Sequence, residues 1–248
     1  MSTGEIKIAP DKDALSRMGA DEVVRCATAS IAAHGRFTIA LSGGSTPQGA
    51  HALLAHHKEL PWEKIHIFFG DDRHVPPDDK DSNYRAAKES LLSKIDIPPE
   101  NVHRIKAELD AREAAQQYED ELKTFFQLPA GQWPRFDLIM LGMGPDGHTA
   151  SLFPGTAALN ETSRWVVANW VEKLNTWRIT FTFPLINHAA EILYLVAGDE
   201  KAQVLKDVLE KPNKDLYPTQ RVQPSNGKML RILEKGAARL LANKDRSA

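Results

Sequence analysis

Asp146 and His148 flank a single glycine within the stretch FDLIMLGMGPDGHTASLFPG, residues 136–155. Side chains so spaced can project from one loop into a common cleft, where the carboxylate orients the imidazole or favours its charged form. The same stretch spells G-x-G-x-x-G from Gly142 to Gly147. A dinucleotide fingerprint needs a sustained helix after its glycines, because the helix N-terminus holds the pyrophosphate. Here Pro154-Gly155 interrupts the chain after room for only about two helical turns, and Asp146 would repel a pyrophosphate. Glu161, the acidic residue available for a ribose, lies beyond that break. A tight turn would explain the glycines but would leave Asp146 and His148 without a reason.

Other loops offer anion chemistry. In SGGSTP (42–47), Gly43 and Gly44 let the backbone approach an anion, and exposed amides with the hydroxyls of Ser45 and Thr46 suit phosphate oxygens at a positive helix end. No Gly-Lys-Ser/Thr ending makes it a Walker loop; an ordinary cap, with Ser45 or Thr46 before Pro47, is compatible with the same residues. Arg178 and Lys201 would add full charges. In GDDRHVPPDDKDSNYR (70–85), Asp71, Asp72 and Arg73 suit sugar hydroxyls or a developing negative charge. Asp78, Asp79 and Asp81 read as loop solvation before a helix capped near Ser82, and His74 is given no catalytic role. His51, His56 and His57 fall on one expected helix with His51 and His57 on different faces, and read as a solvated helix that needs no metal.

These loops require a scaffold. RFTIAL (36–41), KIHIFF (64–69), FDLIML (136–141) and EILYLVA (191–197) read as buried strands. Helical stretches are expected at 12–33, 47–58, 82–94, 110–127 and 199–210, with a C-terminal helix in GKMLRILEKGAARLLA (227–242). Strands 164–171 and 178–183 are expected to form an antiparallel hairpin. The fold class is therefore α/β: a three-layer, mostly parallel Rossmann-like sheet with helices on both faces and a small antiparallel hairpin. SGGSTP, GDDRH, GMGPDGH and GDEK each follow one of the four strands, so all four would share the carboxyl edge where such sheets bind ligands.

Composition limits the alternatives. The 248 residues, 42% hydrophobic and 26% charged, suit one globular domain spanning 1–248. With 31 Lys and Arg against 33 Asp and Glu, no electrostatic footprint for nucleic acid is visible. The single cysteine, Cys26, excludes an internal disulfide or a cysteine-built zinc site and reads as core. The opening MSTGEIKIAP lacks the apolar stretch of a signal peptide, and no run approaches the ~20 apolar residues of a membrane span. The expectation is a cytoplasmic protein.

LSGGSTP, FFGDDRHVP with SNYR, the long central stretch, RITFTFPLIN and LVAGDEKAQVL together resemble the glucosamine-6-phosphate isomerase/6-phosphogluconolactonase family over nearly the whole chain. KLNTWRIT departs from it, since many lactonases carry prolines ahead of the arginine. Within the family, deaminases resemble DGHIAFNEP, with a glutamate five residues after the histidine; here that position is Phe153, and a phenyl ring exchanges no protons. The resemblance to the lactonase branch implies hydrolysis of 6-phospho-D-glucono-1,5-lactone in the oxidative pentose phosphate pathway. It implies His148 as general base, Asp146 as its partner and Arg73 at the tetrahedral intermediate. Gly44, Ser45, Thr46, Arg178 and Lys201 would hold the phosphate. No metal or organic cofactor is implied, and the partner is a small phosphorylated sugar lactone met by a monomer or weak homo-oligomer.

Overall fold

A computed structural model describes residues 4–129, 131–211 and 216–242. The large sheet has seven strands: β1 (Glu5–Ala9), β2 (Phe37–Leu41), β3 (Ile65–Phe69), β5 (Val102–His103), β6 (Leu138–Leu141), β9 (Glu191–Val196) and β10 (Lys228–Glu234). Their order is β1-β10-β9-β6-β2-β3-β5, and every pairing is parallel. A second sheet, ordered β4-β8-β7, is antiparallel and contains β4 (Asp71–Arg73), β7 (Val166–Val171) and β8 (Thr176–Phe181). The helices are α1 (Lys12–His34), α2 (Ser45–Leu54), α3 (Asn83–Ser90), α4 (Ala111–Phe126), α5 (Phe183–Asn187) and α6 (Ala202–Glu210). This is the expected three-layer α/β class, with the expected hairpin enlarged by β4.

Local chemistry sets the helix limits. Asp11 caps α1 by accepting from the N–H of Ala14 at 2.7 Å, and Gly35, at φ 85°, ends it. Leu15, Gly19, Ala20, Val23, Cys26 and Ala27 recur at three- and four-residue spacing and form its buried face, so Cys26 is core as expected. Asp110 caps α4 through the N–H groups of Arg112 and Glu113. From α4, the Tyr118 hydroxyl accepts from the N–H of Phe69, which ends β3. Buried Glu119 receives Arg164 Nε at 2.7 Å and the N–H groups of Trp165 and Val166, tying the same helix to the start of β7. Thus α4 ties the ends of both sheets together.

Gly70 is the join. Its N–H donates to the carbonyl of Leu41 in the large sheet, and its carbonyl accepts from Phe181 in the small one. The chain therefore leaves β3 and directly pairs Asp71, Asp72 and Arg73 with Thr180, Ile179 and Arg178 of β8. The strand order reverses between β2 and β6 while all strands stay parallel: β2, β3 and β5 step one way, and β6, β9, β10 and β1 lie the other. Loops at the carboxyl ends of strands flanking such a reversal diverge and leave a crevice. The four loops singled out in the sequence follow β3, β2, β6 and β9, four adjacent strands.

Residues 228–234 correct the C-terminal helix expected over 227–242. KMLRILE is a strand between β1 and β9, with Leu230, Arg231, Ile232 and Leu233 buried. A strand covered on both faces shows a continuous apolar run, which at this length also satisfies helical spacing. The unfilled slot beside β9 decides between them. The helices expected at 47–58 and 82–94 are also shorter: α2 stops at Leu54, and α3 stops at Ser90 before a separate turn at Leu92–Lys94. His51 corrects the solvated-helix reading. It is 2% exposed because Pro47, Ala50, His51 and Leu54 form the buried side of α2, which packs against α1 and α3.

Candidate active site

The crevice at the sheet reversal is a cavity of about 480 Å³. Gly43, Gly44, Ser45, Thr46, Asp71, Arg73, Asp146, His148, Arg178 and Lys201 all line it. Asp72 does not. It is 1% exposed, and its carboxylate accepts from the N–H groups of Arg73, Asn83 and Tyr84. It anchors the start of α3 instead of meeting a sugar, and burial pushes its carboxyl up to about 6 despite those hydrogen bonds.

The loop after β6 brings Asp146 and His148 together. The N–H of Gly147 donates to the carbonyl of Gly144 at 3.0 Å, and that of Gly144 to the carbonyl of His148 at 2.9 Å, closing a tight turn. A side chain at Gly144 would meet His148 Nδ1 at 2.1 Å, so this glycine admits the imidazole. No helix follows: residues 149–152 form a turn bridged between Thr149 and Leu152, which removes the support a pyrophosphate would need. His148 Nδ1 lies 2.5 Å from Asp146 Oδ1 and donates to it, leaving Nε2 for a ligand. Partial burial opposes ionisation of Asp146, yet hydrogen bonds from His148 and Lys173 outweigh it and hold the carboxyl well below the usual carboxylate range. Phe153 stacks on the imidazole with centroids 4.0 Å apart.

Gly44, at φ 96°, caps α2 without a side-chain bond, replacing the cap expected from Ser45 or Thr46. Ser45 and Thr46 therefore line the cavity with neither hydroxyl serving that cap, at the end of α2 where the first backbone amides lack helical partners. Gly43 is forced by close approach, since a Cβ there would fall 1.8 Å from Asn83 Oδ1. Across the cavity, Arg73 and Arg178 are paired in register on β4 and β8. Burial first, and the charge of Arg73 second, push the Arg178 guanidinium down, and its buried Nε and Nη1 have no hydrogen-bond partner among the described residues. Arg73 Nη1 donates to the Asp81 carbonyl. Lys201, after β9, is lowered by burial and makes no ion pair among the described residues. Lys173 pairs with Asp146, which leaves Arg73, Arg178 and Lys201 against Asp71 alone among the lining carboxylates, so the cavity is positive and suits a phosphorylated ligand.

Ser151, Asn83 and Lys173 also line the cavity, and none was given a role from the sequence. Ser151 Oγ donates to Asp71 Oδ2 at 2.6 Å, and Asn83 Nδ2 donates to the Asp71 carbonyl at 2.9 Å, joining three loops. Lys173 arrives from the β7–β8 turn and pairs with Asp146. Asn83 sits in the SNYR run already noted, but its type alone gave no signal of facing Gly43.

The family model of glucosamine-6-phosphate isomerases/6-phosphogluconolactonase matches residues 10–231. A 6-phosphogluconolactonase of Nostoc sp. is 43% identical over 235 residues, covering 94% of this chain and 96% of that protein. One from Synechocystis sp. is 46% identical over 213 residues, or 85% and 87% of the two chains. The solved 6-phosphogluconolactonase from Trypanosoma cruzi superposes with a TM-score of 0.88 at 32% identity, covering 98% of this chain and 99% of that one. A monomeric glucosamine-6-phosphate deaminase shares the fold at a TM-score of 0.78 and 20% identity, covering 95% and 99% of the two chains. Among the described residues, no helix is long and apolar enough to cross a membrane. The chain belongs to the glucosamine-6-phosphate isomerase/6-phosphogluconolactonase family.

Proposed function

We propose that this chain hydrolyses 6-phospho-D-glucono-1,5-lactone to 6-phospho-D-gluconate, the second step of the oxidative pentose phosphate pathway. The observation that carries the reading is the Asp146–His148 pair, 2.5 Å apart at the wall of a positive cavity. Neutral His148 takes a proton through Nε2 from a water whose oxygen attacks the lactone carbonyl. Asp146 stabilises the resulting imidazolium. Arg73 stabilises the oxyanion of the tetrahedral intermediate. The bond from C1 to the ring oxygen then breaks, and His148 returns its proton to that oxygen, leaving the acid, which ionises. Gly43, Gly44, Ser45 and Thr46 bind phosphate at the start of α2, with Arg178 and Lys201 supplying charge, and Asp71 meets a sugar hydroxyl. None of these steps calls on a metal or organic cofactor.

The isomerase/deaminase branch is the competing reading, and Phe153 argues against it. Ring opening and proton transfer between carbons need a further titratable group, whereas the side chain stacked on His148 is a phenyl. The names of the bacterial relatives favour the lactonase. We read residues 1–248 as one catalytic domain, working in the cytoplasm as a monomer or weak homo-oligomer without nucleic acid or membrane. Sedimentation of the purified protein tests the oligomeric part. The deciding experiment is lactone hydrolysis corrected for spontaneous opening; a rate equal to the protein-free rate refutes the proposal.

A further inference from the structure

Asp146 is held from two sides. Its Oδ1 accepts from His148 Nδ1 at 2.5 Å and from the His148 N–H at 3.3 Å, while Oδ2 accepts from Lys173 Nζ. Lys173 stands in the turn Glu172–Leu174 between β7 and β8, on a different element from the loop it reaches. The same ammonium lies 4.8 Å from the centre of the Phe153 ring, which stacks on the imidazole. One lysine thus touches both groups that bracket His148, the carboxylate at its Nδ1 edge and the phenyl on its face.

Stability does not account for this contact. Lys173 is half exposed, and an ion pair of that kind is worth about 0–1 kcal/mol. Geometry gives it a consequence. The terminal torsion of an aspartate is broad, so a carboxylate held through one oxygen can turn and carry the histidine with it. Fixing the second oxygen removes that freedom. By charge alone the ammonium would act the other way, since it offsets the stabilisation that Asp146 gives an imidazolium. A loss of turnover on removing it, with substrate affinity unchanged, is therefore the sign of lost orientation.

We propose that Lys173 is a positioning residue, acting on the reaction through Asp146 by fixing the carboxylate that orients His148. The inference rests on the roles given above to His148 and Asp146.

The test is a double-mutant cycle: Lys173→Met and Asp146→Asn, singly and together, with Lys173→Arg as the conservative replacement. Turnover, KM and affinity for 6-phosphogluconate are measured on each, with thermal melting as the check of folding. Lys173→Met should lower kcat on the order of tenfold, within the roughly 100-fold that a 1 Å misplacement can cost. KM and product affinity should stay within about twofold, because an interaction absent from ground-state binding leaves both intact. Lys173→Arg should restore most of the turnover. In the Asp146→Asn background, Lys173→Met should have no further effect, the non-additivity expected of residues acting as a unit. An undiminished loss in that background, or a loss confined to KM and product affinity, overturns the inference in favour of direct contact with substrate. Normal turnover in Asp146→Asn overturns the underlying reading as well, whereas a defective Asp146→Asn beside a fully active Lys173→Met overturns the inference alone.

Discussion

Replacing Arg178 by Met should make the free protein more stable and the enzyme worse. Nε and Nη1 of Arg178 are buried without partners, beside the like charge of Arg73. A buried unsatisfied donor costs about 1–3 kcal/mol, and methionine fills similar space without one. Allowing for lost packing and for the part of the guanidinium that meets the cavity, the net gain is about 1–2 kcal/mol. For a chain of this length each kcal/mol moves Tm by about 2–4 °C, so the variant should melt roughly 2–8 °C higher. Binding moves the other way. A hydrogen bond to a charged group is worth about 1.5–3 kcal/mol, or roughly 10- to 150-fold in affinity for 6-phosphogluconate. At a product concentration 100 times the wild-type Kd, wild type gains about 2.7 kcal/mol, and the variant should gain only about 0.3–1.4 kcal/mol. Paired thermal melts with and without product read both quantities. Activity on unphosphorylated gluconolactone should fall much less than on the phosphorylated lactone. A variant that melts lower than wild type while keeping the full product shift would refute the argument that Arg178 is an anion site held open at the expense of stability.

Other outcomes follow from the same geometry. His148→Asn should keep its fold and its affinity for product while losing about 100- to 10,000-fold in turnover, the usual worth of general-base catalysis; near-normal turnover would exclude His148 as the base. Burial pushes His51 down to about 4 from 6.5, so the folded protein binds fewer protons than the unfolded chain between those values. The stability this group contributes is complete above pH 6.5 and is lost as pH falls to about 4, a change of up to about 3 kcal/mol. His51→Leu should therefore lose less Tm than wild type between pH 7 and 4.5, and parallel Tm curves would contradict the assignment. Purified protein given glucosamine 6-phosphate should release neither ammonia nor fructose 6-phosphate, and a chelator should leave lactone hydrolysis unchanged. Ammonia release rivalling that hydrolysis would reverse the choice of branch.

The relation between sequence and site differs from residue to residue. Asp146 and His148 were legible because both lie in one short loop, where glycine geometry at 144 and 147 brings them together. The loops after β2, β3, β6 and β9 were legible because buried parallel strands announce themselves as apolar runs, and their carboxyl ends lie on one edge. The buried face of α2 was written at positions 47, 50, 51 and 54, but the polar ring of His51 concealed it. Tertiary structure alone decided the rest. KMLRILE became a strand because β1 and β9 leave a slot between them, a fact that its own spacing does not carry. Asp71 and Asp72 are neighbours of the same type, yet one borders the cavity and the other anchors α3, since successive side chains of a strand point to opposite faces. Arg178 meets Arg73 only through the register of β4 on β8, and Lys173 reaches Asp146 only because that small sheet sets its turn beside the β6 loop. Local sequence determines local geometry through short-range sterics and hydrogen bonds; contacts between distant segments depend on which surfaces the whole chain buries together.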